Sequence, residues 1–156
     1  MRRLIAVSVL VATASMAAAC TPSHSSSPNG GKAAPVSSTA ICTKLRAVVT
    51  DDIGPIGTAL GTIVGDATAK NAKGLSTAQD DAKTAITKLG TDLKTTADTG
   101  DVPTVKTAAA SAETNITTLM GDPSFLSDIN SMDDVATATA KLQGATAPIT
   151  VACQGP

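Results

Sequence analysis

Aromatic side chains are almost missing from this chain: its 156 residues include one phenylalanine and neither tryptophan nor tyrosine. A hydrophobic core must therefore be built from Ala, Val, Ile and Leu, so its elements must approach one another closely to bury enough apolar area. Alanine and threonine are the most abundant residues, and alanine strongly favours helix. The composition therefore predicts closely packed helices.

The charge balance excludes one large class of function. The formal net charge is -1, and a single phenylalanine provides no aromatic platform on which bases could stack. Nucleic-acid binding normally needs a basic surface, and single-strand binding needs aromatic platforms as well. We therefore expect no nucleic-acid partner.

The first nineteen residues have the three parts of a secretory signal peptide. Arg2 and Arg3 form a positive start, residues 4–14 are apolar, and small residues precede Cys20. The apolar run is too short for a stable transmembrane helix. Residues 1–19 are predicted to be removed, which leaves Cys20 as the new N-terminus.

The cleavage region resembles the lipobox of bacterial lipoproteins, with Ala18 and Ala19 directly before Cys20. The resemblance implies that Cys20 carries a lipid anchor with acyl groups such as palmitate, at the outer face of the cell membrane. An alternative stays open, because Ala17 and Ala19 also suit the ordinary signal peptidase, which cuts the same bond. Richness in Ala, Thr and Gly, together with the lipobox, is similar to small lipoproteins of actinobacteria.

Residues 20–38 are predicted to be the lipidated cysteine and a flexible tether, because Ser, Pro and Gly crowd the stretch after Cys20. His24, the only histidine, lies in this tether, where no fixed partner is expected for a catalytic or metal-binding role. Residues 39–153 are predicted to be the folded domain.

Apolar residues recur every three or four positions from Ile41 onward, and no segment alternates like a strand. The second and third helices are predicted over 76–99 and 102–120, with a short turn within 124–130 and a fourth helix capped by Ser131. Pro55 either kinks the first helix or separates two, and Pro148 is expected to kink the last. The predicted class is all-α, an up-down-up-down four-helix bundle with kinked first and last helices.

Cysteine parity gives that bundle its closure. With Cys20 lipidated, Cys42 and Cys153 remain as an even pair in an oxidising, exported setting. In an up-down-up-down bundle, the start of the first helix and the end of the fourth lie at the same end. A disulfide between Cys42 and Cys153 is therefore predicted.

Gly57, Gly61 and Gly65 repeat every four residues and so share one helix face. Glycine in a helix interior is unfavourable by roughly 0.5–1 kcal/mol relative to alanine, so something should offset these three. The favoured interpretation is close approach of a neighbouring helix. The alternatives are a groove for a partner helix or an apolar ligand, and membrane insertion of residues 53–65.

Three adjacent acidic pairs occur, at 51–52, 80–81 and 133–134. The last two pairs are interpreted as first-turn residues that favour the helix dipole. Asp51 and Asp52 lie near Pro55. Two interpretations of this pair are a weak cation site and a solvated kink of the helix.

No metal-ligand spacing, activated nucleophile or phosphate-binding glycine loop is recognisable, so no catalytic residue, metal site or cofactor is predicted. The protein is expected to be a non-enzymatic, lipid-anchored interaction or structural module. The alternative is a carrier that holds an apolar ligand or lipid in the bundle.

Overall fold

Five α-helices account for most of residues 38–154, the part of the chain that the computed structural model describes. The helices are α1 (Ser38–Thr68), α2 (Ala72–Asp98), α3 (Pro103–Gly121), α4 (Ser124–Ser127) and α5 (Met132–Gln154). No strand occurs in this range, which confirms the all-α class. The predicted signal peptide, Cys20 and the tether with His24 lie outside the described residues.

Helix α1 is a single helix of 31 residues with Pro55 inside it. Of the two alternatives for Pro55, one continuous helix is therefore the one found. Pro148 likewise lies inside α5. Proline lacks an N–H, so each ring removes one backbone hydrogen bond from its helix.

Helix α2 starts four residues earlier than its apolar spacing suggests. Asn71 caps it, since its side chain accepts a hydrogen bond from the Gly74 N–H at 3.2 Å and donates one to Asp66 at 2.8 Å. Gly74 lies inside α2, in its first turn. The first-turn interpretation of Asp80 and Asp81 is therefore wrong, because these residues follow two turns of helix.

The predicted start of the last helix is confirmed by its hydrogen bonds. The Asp134 N–H donates to Ser131 Oγ at 3.3 Å, while the Asp134 carboxylate accepts from that hydroxyl at 2.8 Å. The carboxylate also accepts from the Asn130 N–H at 3.0 Å, which makes this a variant of the capping box. The hydroxyl of Ser131 and the backbone N–H of Asn130 hold the pKa of Asp134 below its usual value.

The helices pack in the order α1–α2–α3–α5, and α5 also touches α1 over a shorter stretch, while α4 lies on α2. Phe125 of α4 is buried, and Lys141 Nζ lies 5.8 Å from the centre of its ring. The remaining core is aliphatic and alanine-rich, as the composition predicts. Its largest fully buried side chains are Ile41, Leu45, Leu60, Ile63, Ile86, Leu93, Val105, Ile116 and Ile129.

The predicted disulfide is present. Cys42 near the start of α1 is bonded to Cys153 near the end of α5, with 5.6 Å between their Cα atoms and a sequence separation of 111. Cys42 is buried and belongs to the core. The bond therefore fixes the end of the last helix to the start of the first.

Candidate functional site

The seam between α1 and α5 is the open side of the packed helices. The two helices are joined at one end by the Cys42–Cys153 bond, but they contact each other over a shorter stretch than the other neighbouring pairs do. Helix α1 instead packs mainly on α2, and α5 mainly on α3. This arrangement leaves a depression along the seam.

The depression is a trough with two adjoining parts that share Val49 and Thr146. The part next to the disulfide has a volume of about 390 Å³, and the other about 170 Å³. We call it the α1–α5 trough. Its lining is Leu45, Arg46, Val49, Thr50, Ile53, Ile56, Gly57 and Leu60 of α1, Leu89 of α2, and Thr139, Leu142, Gln143, Thr146, Ile149, Thr150, Cys153 and Gln154 of α5.

Three of the four threonines that line the trough have hydroxyls bonded within their own helix; the fourth, Thr150, lies in the part that also holds Arg46. Thr50 donates to the Arg46 carbonyl at 2.9 Å, Thr139 to the Val135 carbonyl at 2.8 Å, and Thr146 to the Leu142 carbonyl at 3.2 Å. Each hydroxyl donor is thus satisfied within its own helix. Removing water from the trough would leave none of these three donors unpaired, so the surface suits an apolar occupant.

Arg46 is the one charged residue in the lining of the trough, at the end nearest the disulfide. No carboxylate among residues 38–154 forms an ion pair with its guanidinium group. After Lys141, helix α5 carries no charged residue at all. One end of the trough therefore carries a positive charge that no carboxylate of residues 38–154 pairs with.

The glycine face of α1 does not lie where the favoured interpretation puts it. Gly57, Gly61 and Gly65 are exposed, and a Cβ added at any of them would meet no heavy atom of a neighbouring element within 4 Å. The expected close approach of another helix of the bundle is therefore wrong. Of the three, Gly57 lines the trough, while Gly61 and Gly65 follow Leu60 and are not part of its lining.

A different glycine, Gly90, makes the close helix contact. It is buried in α2, and a Cβ placed there would lie 3.4 Å from Ile116 Cγ2 and 3.6 Å from Glu113 Cα of α3. Sequence reasoning missed Gly90 because a single glycine shows no repeat. Its position beside Leu89 on the buried stripe of α2 was the available signal.

Asp52 is paired with a cation from the chain itself. It is 8% exposed, and its Oδ1 accepts a hydrogen bond from Lys88 Nζ at 2.8 Å. Lys88 also donates a hydrogen bond to Asp92 one turn further along α2. The bonds to the two carboxylates, chiefly the one to Asp52, hold the pKa of Lys88 above its usual value. The Lys88 ammonium thus takes the place of the cation suggested for Asp51 and Asp52.

The other oxygen of Asp52, Oδ2, is buried and accepts no hydrogen bond from any residue that the structure describes. A half-satisfied carboxylate at a helix contact ties α1 to α2 at one register, because sliding would break its ion pair. Within residues 38–154, no group of three His, Cys, Asp or Glu side chains is placed to hold a metal ion. The chemistry of Asp52 is therefore that of a structural ion pair.

Helix α1 is long enough and apolar enough to cross a membrane, with a mean hydropathy of 1.2 over 18 residues. Core helices of soluble proteins meet the same criterion. Its apolar stripe contacts α2 and the core here, from Ile41 to Ile63. Ile53, half exposed in the lining of the trough, lies four residues after Val49 and three before Ile56, at the edge of this stripe.

Comparison with known proteins identifies no relative of this chain. No protein-family model matches the chain, and no curated protein or solved structure is significantly similar to it. What is shown is therefore that residues 38–154 are all-helical and carry one disulfide and an open apolar trough.

Proposed function

We propose that this protein is a non-enzymatic binding module held at the outer face of the cell membrane by a lipid on Cys20, and that the α1–α5 trough is its binding surface. The lipobox resemblance supports the anchor. The disulfide supports an exported location, because disulfides persist in oxidising compartments. The observation that carries the binding role is the apolar trough with its internally bonded hydroxyls.

The four long helices are proposed to alternate in direction, up-down-up-down. Contacts across the helix pairs support this topology: Gly100 after α2 lies against Ile41 at the start of α1, and the Asn115 side chain of α3 donates to the Ala145 carbonyl of α5 at 3.3 Å. In that arrangement the Arg46 end of the trough lies at the end of the bundle where α1 begins.

The trough could bind one of two kinds of partner, another protein or, as in a carrier, an apolar ligand. The large hydrophobic side chains that residues 38–154 expose are Ile53, Met132 and Val151. Met132 and Val151 lie about 28 Å apart along α5 at 1.5 Å per residue, so they do not form one patch with Ile53. A protein interface usually has a contiguous apolar centre, so the geometry favours the ligand.

Replacing Cys20 by alanine is expected to move the protein from the membrane fraction to the soluble exported fraction, because the acyl groups supply the membrane affinity. Fractionation followed by mass spectrometry of the N-terminal peptide measures this change. Ser26→Ala in the tether is the control and is expected to stay with the membrane. Retention of the Cys20→Ala protein in the membrane fraction would contradict the anchor.

Replacing Gly57 by leucine is expected to reduce binding of the uncharged apolar dye Nile red by at least about fivefold, since the new side chain fills the trough. The helix should tolerate it, because a Cβ at Gly57 meets no neighbouring heavy atom within 4 Å. Gly61→Leu is a matched control on the same helix, outside the trough. Fluorescence titration measures the binding, and equal dye affinity in the two variants would refute the trough as the binding surface.

A further inference from the structure

We infer that the α1–α5 trough binds a long-chain fatty acid, with the acyl chain along the seam and the carboxylate at Arg46. This inference rests on the proposed function of the trough and adds the chemical class of the ligand. It follows from three properties of the trough: its dimensions, its polarity along its length, and the single charge at one end.

The trough is long and small in cross-section. It runs from Leu45 to Leu60 on α1 and from Thr139 to Gln154 on α5, and each stretch is about 22 Å long at 1.5 Å per residue. Acyl chains in one membrane leaflet span about 15 Å, half of a hydrocarbon core of about 30 Å. One extended chain therefore fits along the seam.

The volume excludes a bulkier occupant. The parts measure about 390 and 170 Å³. A helix of the same length and about 10 Å in diameter displaces well over 1,000 Å³, so a docked helix would lie mostly outside the trough. The two parts together have the size of small-molecule sites, roughly 300–1,000 Å³.

Polarity changes along the trough from one end to the other. The far part, around Ile53, Ile56, Leu60 and Leu142, contains no charged residue, and its Thr139 hydroxyl is bonded to its own helix. The near part holds Arg46. A ligand that matches this pattern is apolar over most of its length and anionic at one end.

The charge at the near end indicates a carboxylate. An arginine presents a planar pair of N–H donors that matches the two oxygens of a carboxylate. Arg46 has no acidic partner among residues 38–154, so a ligand carboxylate would displace no existing ion pair. One guanidinium group balances the single charge of a fatty acid.

The test compares palmitate with hexadecanol, which has the same chain length and an uncharged end. Both are titrated as competitors of Nile red on the full exported chain carrying Cys20→Ser, so that no covalent acyl group competes. We expect palmitate to bind about tenfold more tightly than hexadecanol, because a hydrogen bond to a charged group is worth more than one to a neutral group. Arg46→Gln is expected to remove this difference, and Arg46→Lys to retain part of it.

Lys44→Gln is the matched control, since Lys44 is a cation on the same turn of α1 but outside the trough. It should leave the palmitate preference unchanged. Equal affinity for palmitate and hexadecanol, or an effect of Lys44→Gln as large as that of Arg46→Gln, would overturn the fatty-acid assignment and leave the trough as a binding surface. If palmitate, hexadecanol and Nile red all failed to bind, the proposed function of the trough would be overturned as well.

Discussion

Replacing Cys42 and Cys153 together by alanine is expected to lower the free energy of unfolding by about 4–5 kcal/mol. The bond closes a loop of 111 residues, and on the chain-entropy account a loop of about that length contributes this much by restricting the unfolded chain. Small domains are stable by about 5–15 kcal/mol in total. The disulfide thus supplies a large share of the stability of a core that has one aromatic side chain.

The effect should be concentrated at the trough. Helices α1 and α5 pack against each other over a short stretch, so the bond carries much of the connection between them. Cys153 also lines the near part of the trough beside Arg46. Loss of the bond is therefore expected to weaken palmitate binding as well as stability.

Urea unfolding of the Cys20→Ser protein, with and without the two further substitutions, measures the change. Dithiothreitol provides the control, since it should lower the stability of the disulfide-bonded protein and leave the alanine variant unchanged. Thiol labelling of the denatured, lipidated protein is expected to find no free cysteine. If the urea midpoint were nearly the same with and without the disulfide, or if Cys42 or Cys153 were labelled, the role given to the bond would be contradicted.

The apolar stripes of the four long helices could be predicted because burial follows helical spacing. Ala82, Ile86 and Leu93 of α2, for example, are spaced by four and seven residues and are all buried. The disulfide could be predicted as well, because parity and topology both restrict the pairing of Cys42 and Cys153. Both inferences depend on properties that the local sequence or the connectivity fixes.

The trough could not be predicted in the same way. Spacing identifies which face of a helix is buried, but it does not say how tightly two helices pack. Helix α1 contacts both α2 and α5, and the trough exists because the second contact is the shorter. The partner of Asp52 was out of reach for the same reason, since Lys88 lies 36 residues away on another helix.

Gly90 shows how the same residue type can act in opposite ways. Gly90 and Gly61 both lie inside helices, and intrinsic propensity disfavours both equally. The repeat at 57, 61 and 65 drew attention to α1, yet those positions face open space, whereas Gly90 faces the backbone of α3. Their substitutions should therefore have opposite signs.

Gly90→Leu is expected to destabilise the fold by about 3 kcal/mol, while Gly61→Leu is expected to stabilise it by about 0.5–1 kcal/mol. At Gly90 the new side chain must extend past a Cβ that already touches Ile116 and lies 3.6 Å from Glu113 Cα, so α2 and α3 must separate. At Gly61 the side chain enters solvent, and the helix loses only the entropic disadvantage of glycine.

Gly90→Ala provides the control for size. Its Cβ would make contacts of 3.4 Å or longer, which is ordinary packing, so this variant should be as stable as the natural protein or slightly more so. Thermal and urea unfolding of the three variants measure the differences. Equal destabilisation by Gly61→Leu and Gly90→Leu would contradict the open space assigned to Gly61. It would indicate that another surface, such as a second copy of the chain, packs on this face of α1 and is disrupted by leucine.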